Sequence, residues 1–166
     1  MGGESFQHAT IIGAGLLGGS IGLALKARGL AGHVAGVGRR RASLDEALRV
    51  GAIDSAHLDP ADPAARSDLV ILATPVGAFE PHLRAIRPVL RRGALVTDVG
   101  STKAAVVRTA ERVLGRGGPF VGSHPMAGSE KKGPAFADAA LLAGATCIVT
   151  PTPHTPPGLL RRAERL

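Results

Sequence analysis

Glycines at a fixed spacing near the amino terminus mark a place where this chain could bind an anion. Gly13, Gly15 and Gly18 form a G-x-G-x-x-G sequence between the apolar run His8–Ile12 and a helical pattern of small residues. In that context the glycines allow a tight turn, a close backbone approach to a pyrophosphate, and packing of the helix on its strand. The pattern predicts a dinucleotide site, and the alternative is a glycine-rich turn in another α/β protein. The residues expected to contact the cofactor here are Gly13, Gly15, Leu16, Leu17 and Gly18.

A histidine and a serine follow predicted strands, and the histidine could carry proton-transfer chemistry. His124 follows the apolar segment Phe120–Gly122, and an imidazole just past a strand end can accept a hydroxyl proton near neutral pH. Ser101 follows the predicted strand Ala94–Val99 and begins the next predicted helix, where its hydroxyl could cap that helix. For His124 the alternative is a structural role in a loop.

The end of the second predicted strand bears on which dinucleotide is bound. An NAD site expects an acidic residue there to bind the ribose hydroxyls, whereas this chain has Gly38 followed by Arg39, Arg40 and Arg41. A guanidinium can pair with a 2′-phosphate, so NADP is favoured over NAD, with Arg39 and Arg40 as its ligands. The alternative is that the arginines are solvated surface charges, which is the interpretation for Arg41. Asp45 is a poor substitute carboxylate because it falls in a predicted helix.

Strands alternate with helical patterns along the chain. The predicted strands are His8–Ile12, Val34–Val37, Asp68–Ala73, Ala94–Val99, Phe120–Gly122 and Ala145–Thr150. The predicted helices are Leu16–Arg28, one capped by Ser43 with Glu46 and stopped by Gly51, Phe79–Leu90 with Pro88 ending or kinking it, and one from Ser101 or Thr102 to Leu114. The alternation predicts a Rossmann-type, doubly wound α/β fold of three layers with a mostly parallel sheet. Ligands of such folds bind beyond the carboxyl ends of the strands.

Composition places the chain among globular proteins that bind small molecules. With 166 residues, 45% of them hydrophobic and 20% charged, it is expected to form one domain with a sizeable core. The net charge of +7 is spread along the chain in short groups, and Trp and Tyr are absent from the sequence. Because nucleic-acid surfaces gather their charge and use aromatic platforms, no nucleic-acid partner is expected.

The single cysteine and the lack of long apolar runs bear on where in the cell the protein is expected. Cys147 lies in the apolar run Ala145–Val149, so it is predicted to be a buried strand residue. One cysteine permits neither an internal disulfide nor a multi-cysteine metal site, and no metal is expected. The sequence shows no secretory start and no run of membrane-spanning length, so a soluble cytoplasmic protein without a membrane partner is predicted. Met1–Gln7 is predicted to be a loose leader.

The last part of the chain differs in character from the rest. Four prolines occupy Pro151–Pro157, which resembles a linker, and Leu159–Leu166 looks like the opening of a helix. Residues 1–150 are therefore predicted to form the dinucleotide-binding domain. Residues 151–166 are predicted to be a linker and the start of a truncated helical domain.

Three motifs resemble those of the prephenate/arogenate (cyclohexadienyl) dehydrogenase family. They are Ala73–Pro75 (A-T-P), Asp98–Lys103 (D-V-G-S-T-K) and Gly122–Glu130 (G-S-H-P-M-A-G-S-E). The resemblance runs from about Ala9 to Thr150 and corresponds to the family's N-terminal nucleotide-binding domain. It implies an oxidoreductase of tyrosine biosynthesis. Hydride leaves the hydroxyl-bearing ring carbon of prephenate or arogenate for NADP or NAD, carbon dioxide departs, and the ring becomes aromatic.

The resemblance also implies roles for individual residues. It places His124 and Ser101 in catalysis, Ser101, Ser123, His124 and Lys103 around the substrate, and Thr74, Pro75 and Ser101 along the cofactor groove. The histidine would receive the hydroxyl proton, and Ser123 would shape the loop that presents it. For Lys103, a cation near the ring carboxylate and an exposed lysine in the first helical turn are equally compatible with the sequence.

Members of this family carry a second, helical domain that forms the dimer and completes the substrate site. The chain is therefore expected to hold the cofactor and half of the substrate site, and to form a homodimer only with that domain. Prephenate and arogenate stay undistinguished here, because the residues that read the side chain would lie in the second domain. The alternatives are another small NADP-linked dehydrogenase, of the 3-hydroxyacid or imine-reductase type, and a non-enzymatic NADP-binding module.

Overall fold

A five-stranded parallel sheet forms the centre of the molecule, of which this computed structural model describes residues 5–166. Its strands are β1 (Phe6–Ile12), β2 (Ala31–Val37), β3 (Ser55–His57), β4 (Leu69–Leu72) and β5 (Leu95–Asp98). Their spatial order is β3-β2-β1-β4-β5, and every pair is parallel. The order reverses at β1, as in a doubly wound fold. The predicted Rossmann-type α/β class is confirmed.

Helices cover both faces of this sheet. They are α1 (Leu16–Ala27), α2 (Arg41–Arg49), α3 (Ala61–Ala64), α4 (Phe79–Ile86), α5 (Lys103–Leu114) and α6 (Pro157–Glu164). One buried cluster unites apolar residues of α1 and α2 with the sheet, and a second unites α4 and α5 with its other face. The central strands are buried on both sides, and β4 is the uninterrupted apolar run Leu-Val-Ile-Leu. The predicted end of α4 near Pro88 is confirmed, since the helix stops at Ile86.

A separate pair of antiparallel strands lies beyond the fifth strand. Strands β6 (Gly122–Pro125) and β7 (Cys147–Thr150) pair antiparallel, and His124 stands opposite Ile148. Phe120 joins the main sheet through one parallel bridge to Val96. The prediction that Cys147 is buried is wrong, because its strand pairs with β6 alone, outside the covered sheet, and the thiol-bearing residue is exposed.

The first strand begins earlier than the sequence predicted. Phe6 and Gln7 belong to β1, so the leader prediction is wrong for these two residues, and Met1–Glu4 lie outside the described part of the chain. The Asp68 carboxylate accepts hydrogen bonds from the amides of Gln7 and His8, each at 3.0 Å. A carboxylate distant in sequence thus fixes the start of the strand.

Helix α2 starts without the predicted capping box. It begins at Arg41, so Ser43 lies inside its first turn rather than before it, and no side chain caps its amino end. The Glu46 carboxylate instead binds the Arg49 guanidinium at 2.7 Å. The predicted stop at Gly51 is confirmed, since this residue has a φ of +76° just after the helix.

The carboxy-terminal helix α6 packs on the sheet domain. Leu159, Leu160 and Ala163 contact the apolar cluster on the α1 face. The Arg162 guanidinium lies 5.0 Å from the centre of the Phe6 ring and donates to the Gly93 carbonyl at 2.5 Å. Within residues 5–166, no helix combines the length and the apolar character needed to cross a bilayer.

Candidate cofactor and catalytic site

The loops that follow the central strands meet at the carboxyl edge of the sheet. Gly13 follows β1, Gly38 follows β2, Thr74 follows β4 by two residues, and Gly100 follows β5 by the same distance. The loops are tied to neighbouring strands, as where the Gly13 amide donates to the Val37 carbonyl at 2.8 Å. The predicted cofactor residues therefore share the edge at which this class of fold binds ligands.

Two glycines of the turn lie where a side chain would collide with backbone. Gly13 has a φ of +107°, and a Cβ there would approach the carbonyl carbon and oxygen of Ala73 to 2.7 Å. A Cβ on Gly18 would lie 2.1 Å from the carbonyl oxygen of Gly13. The turn is thus pressed against the loop after β4, and α1 packs directly on the turn. These contacts explain why positions 13 and 18 require glycine.

Substitution of Gly18 by alanine is expected to damage both stability and cofactor binding. The new methyl group meets a backbone atom that cannot rotate away, so α1 must shift, at a cost of about 1–3 kcal/mol. We expect the melting temperature to fall by roughly 2–4 °C per kcal/mol lost, and dinucleotide affinity to fall with it. Thermal melts and titration calorimetry check both effects.

Gly158→Ala is the matched control for this variant. An added Cβ at this position in α6 meets no atom within 4 Å, and its φ lies outside the positive range. Its stability should be unchanged or higher, because alanine favours helix by about 1 kcal/mol over glycine. Equal melting temperatures for Gly18→Ala and the parent chain would contradict the packing argument.

The amino end of α1 offers an open cradle to an anion. A Cβ on Gly15 would meet no atom within 4 Å, and no acidic or capping side chain occupies this end of the helix. The amides at the start of the helix, from Leu16 to Gly18, lack intrahelical acceptors and carry the positive end of the helix dipole. Thr74 Oγ1, beside the turn, is buried without a hydrogen-bond partner among the described residues. These groups fit the phosphates and polar groups of a dinucleotide.

The arginines after β2 divide into two kinds. Arg39 and Arg40 are exposed, and among residues 5–166 neither guanidinium makes a hydrogen bond or an ion pair. Arg41 instead donates to the Asp45 carboxylate, with 3.1 Å between Nε and Oδ1. This pairing agrees with the interpretation of Arg41 as a surface charge. It also engages the carboxylate of Asp45, the possible substitute ligand for the ribose. The first two arginines are the ones available to a ligand.

Two further features shape the end of β2. Gly38 occupies the place where an acidic residue would bind the ribose, and a Cβ there would lie 3.3 Å from Leu44 of α2. His82 of α4 lies within electrostatic reach of Arg39. Burial first, and then the positive charge of Arg39, hold the pKa of His82 below its ordinary value. This end of the strand is therefore electropositive.

Asp98 joins the loop of Ser101 to strand β6, which contains His124 instead of ending before it as the sequence predicted. Its carboxylate is fully buried and accepts the Gly100 amide at 2.8 Å and the Ser123 amide at 3.1 Å. Ser101 directly follows Gly100, and His124 directly follows Ser123. The structure thus brings Ser101, which is exposed, and His124, which is half-buried, to the same end of β5.

Lys103 points inward from the first turn of α5. Its ammonium contacts the Asp98 carboxylate and donates to the Ser123 carbonyl at 2.7 Å. Burial lowers the pKa of Lys103, and the Asp98 carboxylate acts in the opposite direction. The Lys103 side chain is only 14% exposed. It therefore does not fit the interpretation as an exposed lysine in the first turn of the helix. The Ser123 hydroxyl is also engaged, since it donates to the Asp98 carbonyl at 2.5 Å.

Two details of this region differ from what the sequence suggested. Helix α5 begins at Lys103 after Thr102, so the Ser101 hydroxyl does not cap it. The sequence did not predict that Asp98 connects the Ser101 loop to strand β6. A signal was present, since an acidic residue ending a buried apolar strand needs a cation, and Lys103 follows five residues later.

Comparison with known proteins agrees with this geometry. Residues 21–166 match the model of the prephenate dehydrogenase nucleotide-binding domain. Prephenate dehydrogenase of Bacillus subtilis is 38% identical over 149 residues, which make up 87% of this chain and 39% of that protein. The structure of Aquifex aeolicus prephenate dehydrogenase with hydroxyphenyl propionate and NAD⁺ has a TM-score of 0.89 and 34% identity, covering 97% of this chain and 56% of that one. The structure of Synechocystis arogenate dehydrogenase has a TM-score of 0.86 and 30% identity, covering 95% of this chain and 55% of that one.

The fold and the glycine turn together define a nucleotide-binding domain of Rossmann type. The chain belongs to the prephenate dehydrogenase family, whose nucleotide-binding domain it matches over most of its length. It spans between 39% and 51% of the length of the curated relatives that it matches.

Proposed function

We propose that this chain is the cofactor-binding part of an NADP-preferring dehydrogenase that oxidatively decarboxylates prephenate or arogenate. The observation that carries the proposal is the Asp98 junction, which brings Ser101 and His124 to the edge of the sheet where the glycine turn lies. A module that only bound or sensed a dinucleotide would need neither residue. Because the chain spans about half of its relatives, the activity belongs to the whole protein that carries it.

The residues of the glycine turn would hold the pyrophosphate. Gly15 provides open space beside the backbone, and the amides from Leu16 to Gly18 are free to donate to phosphate oxygens. Thr74 and Pro75 would line the groove, with the unpartnered Thr74 hydroxyl gaining a hydrogen bond from the ligand. A nicotinamide held there supplies an acceptor for the substrate hydride.

Arg39 and Arg40 would select NADP by pairing with its 2′-phosphate. Both side chains are exposed at the end of β2, and Gly38 places no carboxylate there to repel the phosphate. The open guanidiniums and the electropositive surroundings support this preference over NAD.

His124 would receive the proton of the substrate hydroxyl at an imidazole nitrogen. Ser101 would hydrogen-bond the same hydroxyl and orient the ring. As the hydroxyl-bearing carbon loses hydride, its C–O bond becomes a carbonyl. The electron pair of the breaking bond between the ring and the carboxylate then moves through the ring to that oxygen, which takes the proton back. Carbon dioxide leaves and a phenol results. The aromatic product makes the step downhill, so positioning and proton removal are what these side chains must provide.

The remaining assignments concern the substrate side of the site. Ser123 would shape the loop that presents His124, and a direct substrate contact by Lys103 stays a prediction. We propose residues 1–150 as the dinucleotide-binding domain. Residues 151–166 would lead to a helical region that completes the substrate site and forms a homodimer.

Calorimetric titration and a turnover assay test this proposal. The chain is titrated with NADP⁺ and with NAD⁺, and tighter binding of NADP⁺ is expected. The protein that carries the chain is then supplied with prephenate or arogenate, and reduced nicotinamide is followed by its near-ultraviolet absorbance. Tighter binding of NAD⁺ would contradict the arginine assignment alone. Turnover of neither substrate with a bound cofactor would contradict the dehydrogenase itself.

A further inference from the structure

A buried ion pair contacts the backbone next to the two predicted catalytic residues. Asp98 is the last residue of β5 and is 0% exposed, while the Lys103 side chain is 14% exposed. Buried charges of this kind persist only when each finds a partner and further hydrogen bonds. Here the carboxylate accepts two backbone amides besides the ammonium, and the ammonium also donates to a carbonyl.

The backbone groups held by this pair adjoin the residues that do the proposed chemistry. Asp98 Oδ2 accepts the amide of Gly100, the residue before Ser101. Asp98 Oδ1 accepts the amide of Ser123, the residue before His124. The carbonyl that Lys103 binds belongs to the peptide bond that links Ser123 to His124. The pair therefore holds the Ser101 loop and strand β6 by backbone groups next to the residues with the reacting side chains.

We propose that Asp98 and Lys103 are positioning residues, which act as one ion pair to hold the Ser101 loop and strand β6, which carries His124, at a fixed separation. This inference rests on the proposed dehydrogenase function. Since the ammonium is paired with Asp98 and turned into the protein, its charge holds the Ser101 loop and β6. A direct contact with a substrate carboxylate is the competing role that the test distinguishes. Ser123 completes the arrangement, because its hydroxyl binds the Asp98 carbonyl.

The chain supplies a matched control for this pair. Lys26 and Asp54 form a second Lys–Asp contact, with 2.5 Å between Nζ and Oδ1, and Asp54 likewise accepts a backbone amide, that of Val34. That pair joins α1 to the segment before β3, away from the Ser101 loop and from β6. Lys26→Met removes the same kind of contact without touching the proposed positioning residues.

The test compares Asp98→Asn, Lys103→Met and the double variant with Lys26→Met in the protein that carries the chain. Both single variants should lower kcat by about 10–100-fold, because a small misplacement of reacting groups has an effect of that size. KM for the substrate should stay near the parent value. The double variant should be no worse than either single variant, since the two residues act as a unit. Lys26→Met should leave kcat unchanged.

A different pattern would overturn the inference. A rise in KM for Lys103→Met of tenfold or more, on the order of one lost charged contact, with kcat little changed and Asp98→Asn near normal, would make Lys103 a substrate ligand. Additive losses in the double variant would mean that the residues act separately. Unchanged kcat in both single variants would remove the positioning role.

A spectroscopic readout separates this inference from the proposed function. In the 166-residue chain, the NMR signal of the His124 ring should move in Asp98→Asn, while that of the exposed His154 stays in place. Asp98→Asn keeps the shape of the side chain, so it decides the matter if Lys103→Met does not fold. An unmoved His124 signal would refute the positioning role even in a protein that turns over no substrate.

Discussion

Replacement of His124 by asparagine is expected to lower kcat by about 10²–10⁴-fold, the usual contribution of a positioned general base. Asparagine can still hydrogen-bond but cannot accept the hydroxyl proton. Because His124 lies in β6, beyond the glycine turn that would hold the cofactor, NADP⁺ affinity should stay close to that of the parent. Steady-state kinetics of the protein that carries the chain, together with calorimetry, measure the two quantities.

His154→Asn serves as the control for this variant. His154 is exposed in the turn before α6, on a segment that lacks the motif around His124. Its replacement should change neither turnover nor affinity. If His124→Asn lost NADP⁺ affinity or stability together with turnover, the imidazole would be a structural group and its catalytic assignment would be wrong.

Replacement of both Arg39 and Arg40 by alanine should weaken NADP⁺ binding by about 10–100-fold, which corresponds to roughly 1.5–3 kcal/mol for charged hydrogen bonds. NAD⁺ lacks the 2′-phosphate, so its affinity should change little. Neither guanidinium takes part in an ion pair within the described chain, so the fold should not depend on them. Paired calorimetric titrations of parent and variant give the ratio of the two affinities.

Arg41→Ala is the matched control, because it removes a neighbouring positive charge that is already paired with Asp45. It should alter the NADP⁺ affinity only slightly, through the general field of the surface. Equal weakening of NADP⁺ and NAD⁺ in the double variant would show that Arg39 and Arg40 do not read the 2′-phosphate.

The parts of the fold that the sequence predicted are those set by local signals. The apolar run of β4 identifies a buried strand wherever it occurs, and the glycine turn fixes both the end of β1 and the start of α1. Gly51 and Pro88 end their helices because one adopts a positive φ and the other lacks an amide hydrogen. In each case the physical cause lies within a few residues.

The features that the sequence missed depend on distant partners. Strand β3 is three residues long and is defined by its pairing with β2, which no local pattern signals. Cys147 reads as a core residue from its apolar neighbours, yet β7 pairs with β6 alone. The start of β1 depends on hydrogen bonds to Asp68, some sixty residues away.

The same distinction applies to the candidate site. The glycine turn, the Ser101 loop and the segment that contains His124 were located from motifs, since strand ends of a parallel sheet meet at one edge. The inward turn of Lys103 and the junction at Asp98 were not, because both arise from the packing of β6 beside β5. Local spacing places residues at an edge of the sheet, whereas the partners of a buried charge are set by tertiary contacts.

The close approach of Gly38 to Leu44 bears on how the coenzyme preference of this chain could be changed. An acidic residue at position 38 would introduce the carboxylate that repels a 2′-phosphate, but its Cβ would lie only 3.3 Å from a side chain that is 1% exposed. With an acidic residue there, the Leu44 side chain would have to give way by a few tenths of an ångström, for example through a smaller residue at position 44. Loss of the exposed arginines needs no such compensation. If Arg39 and Arg40 bind the 2′-phosphate as proposed, their removal is a simpler route toward NAD than the addition of a ribose ligand at position 38.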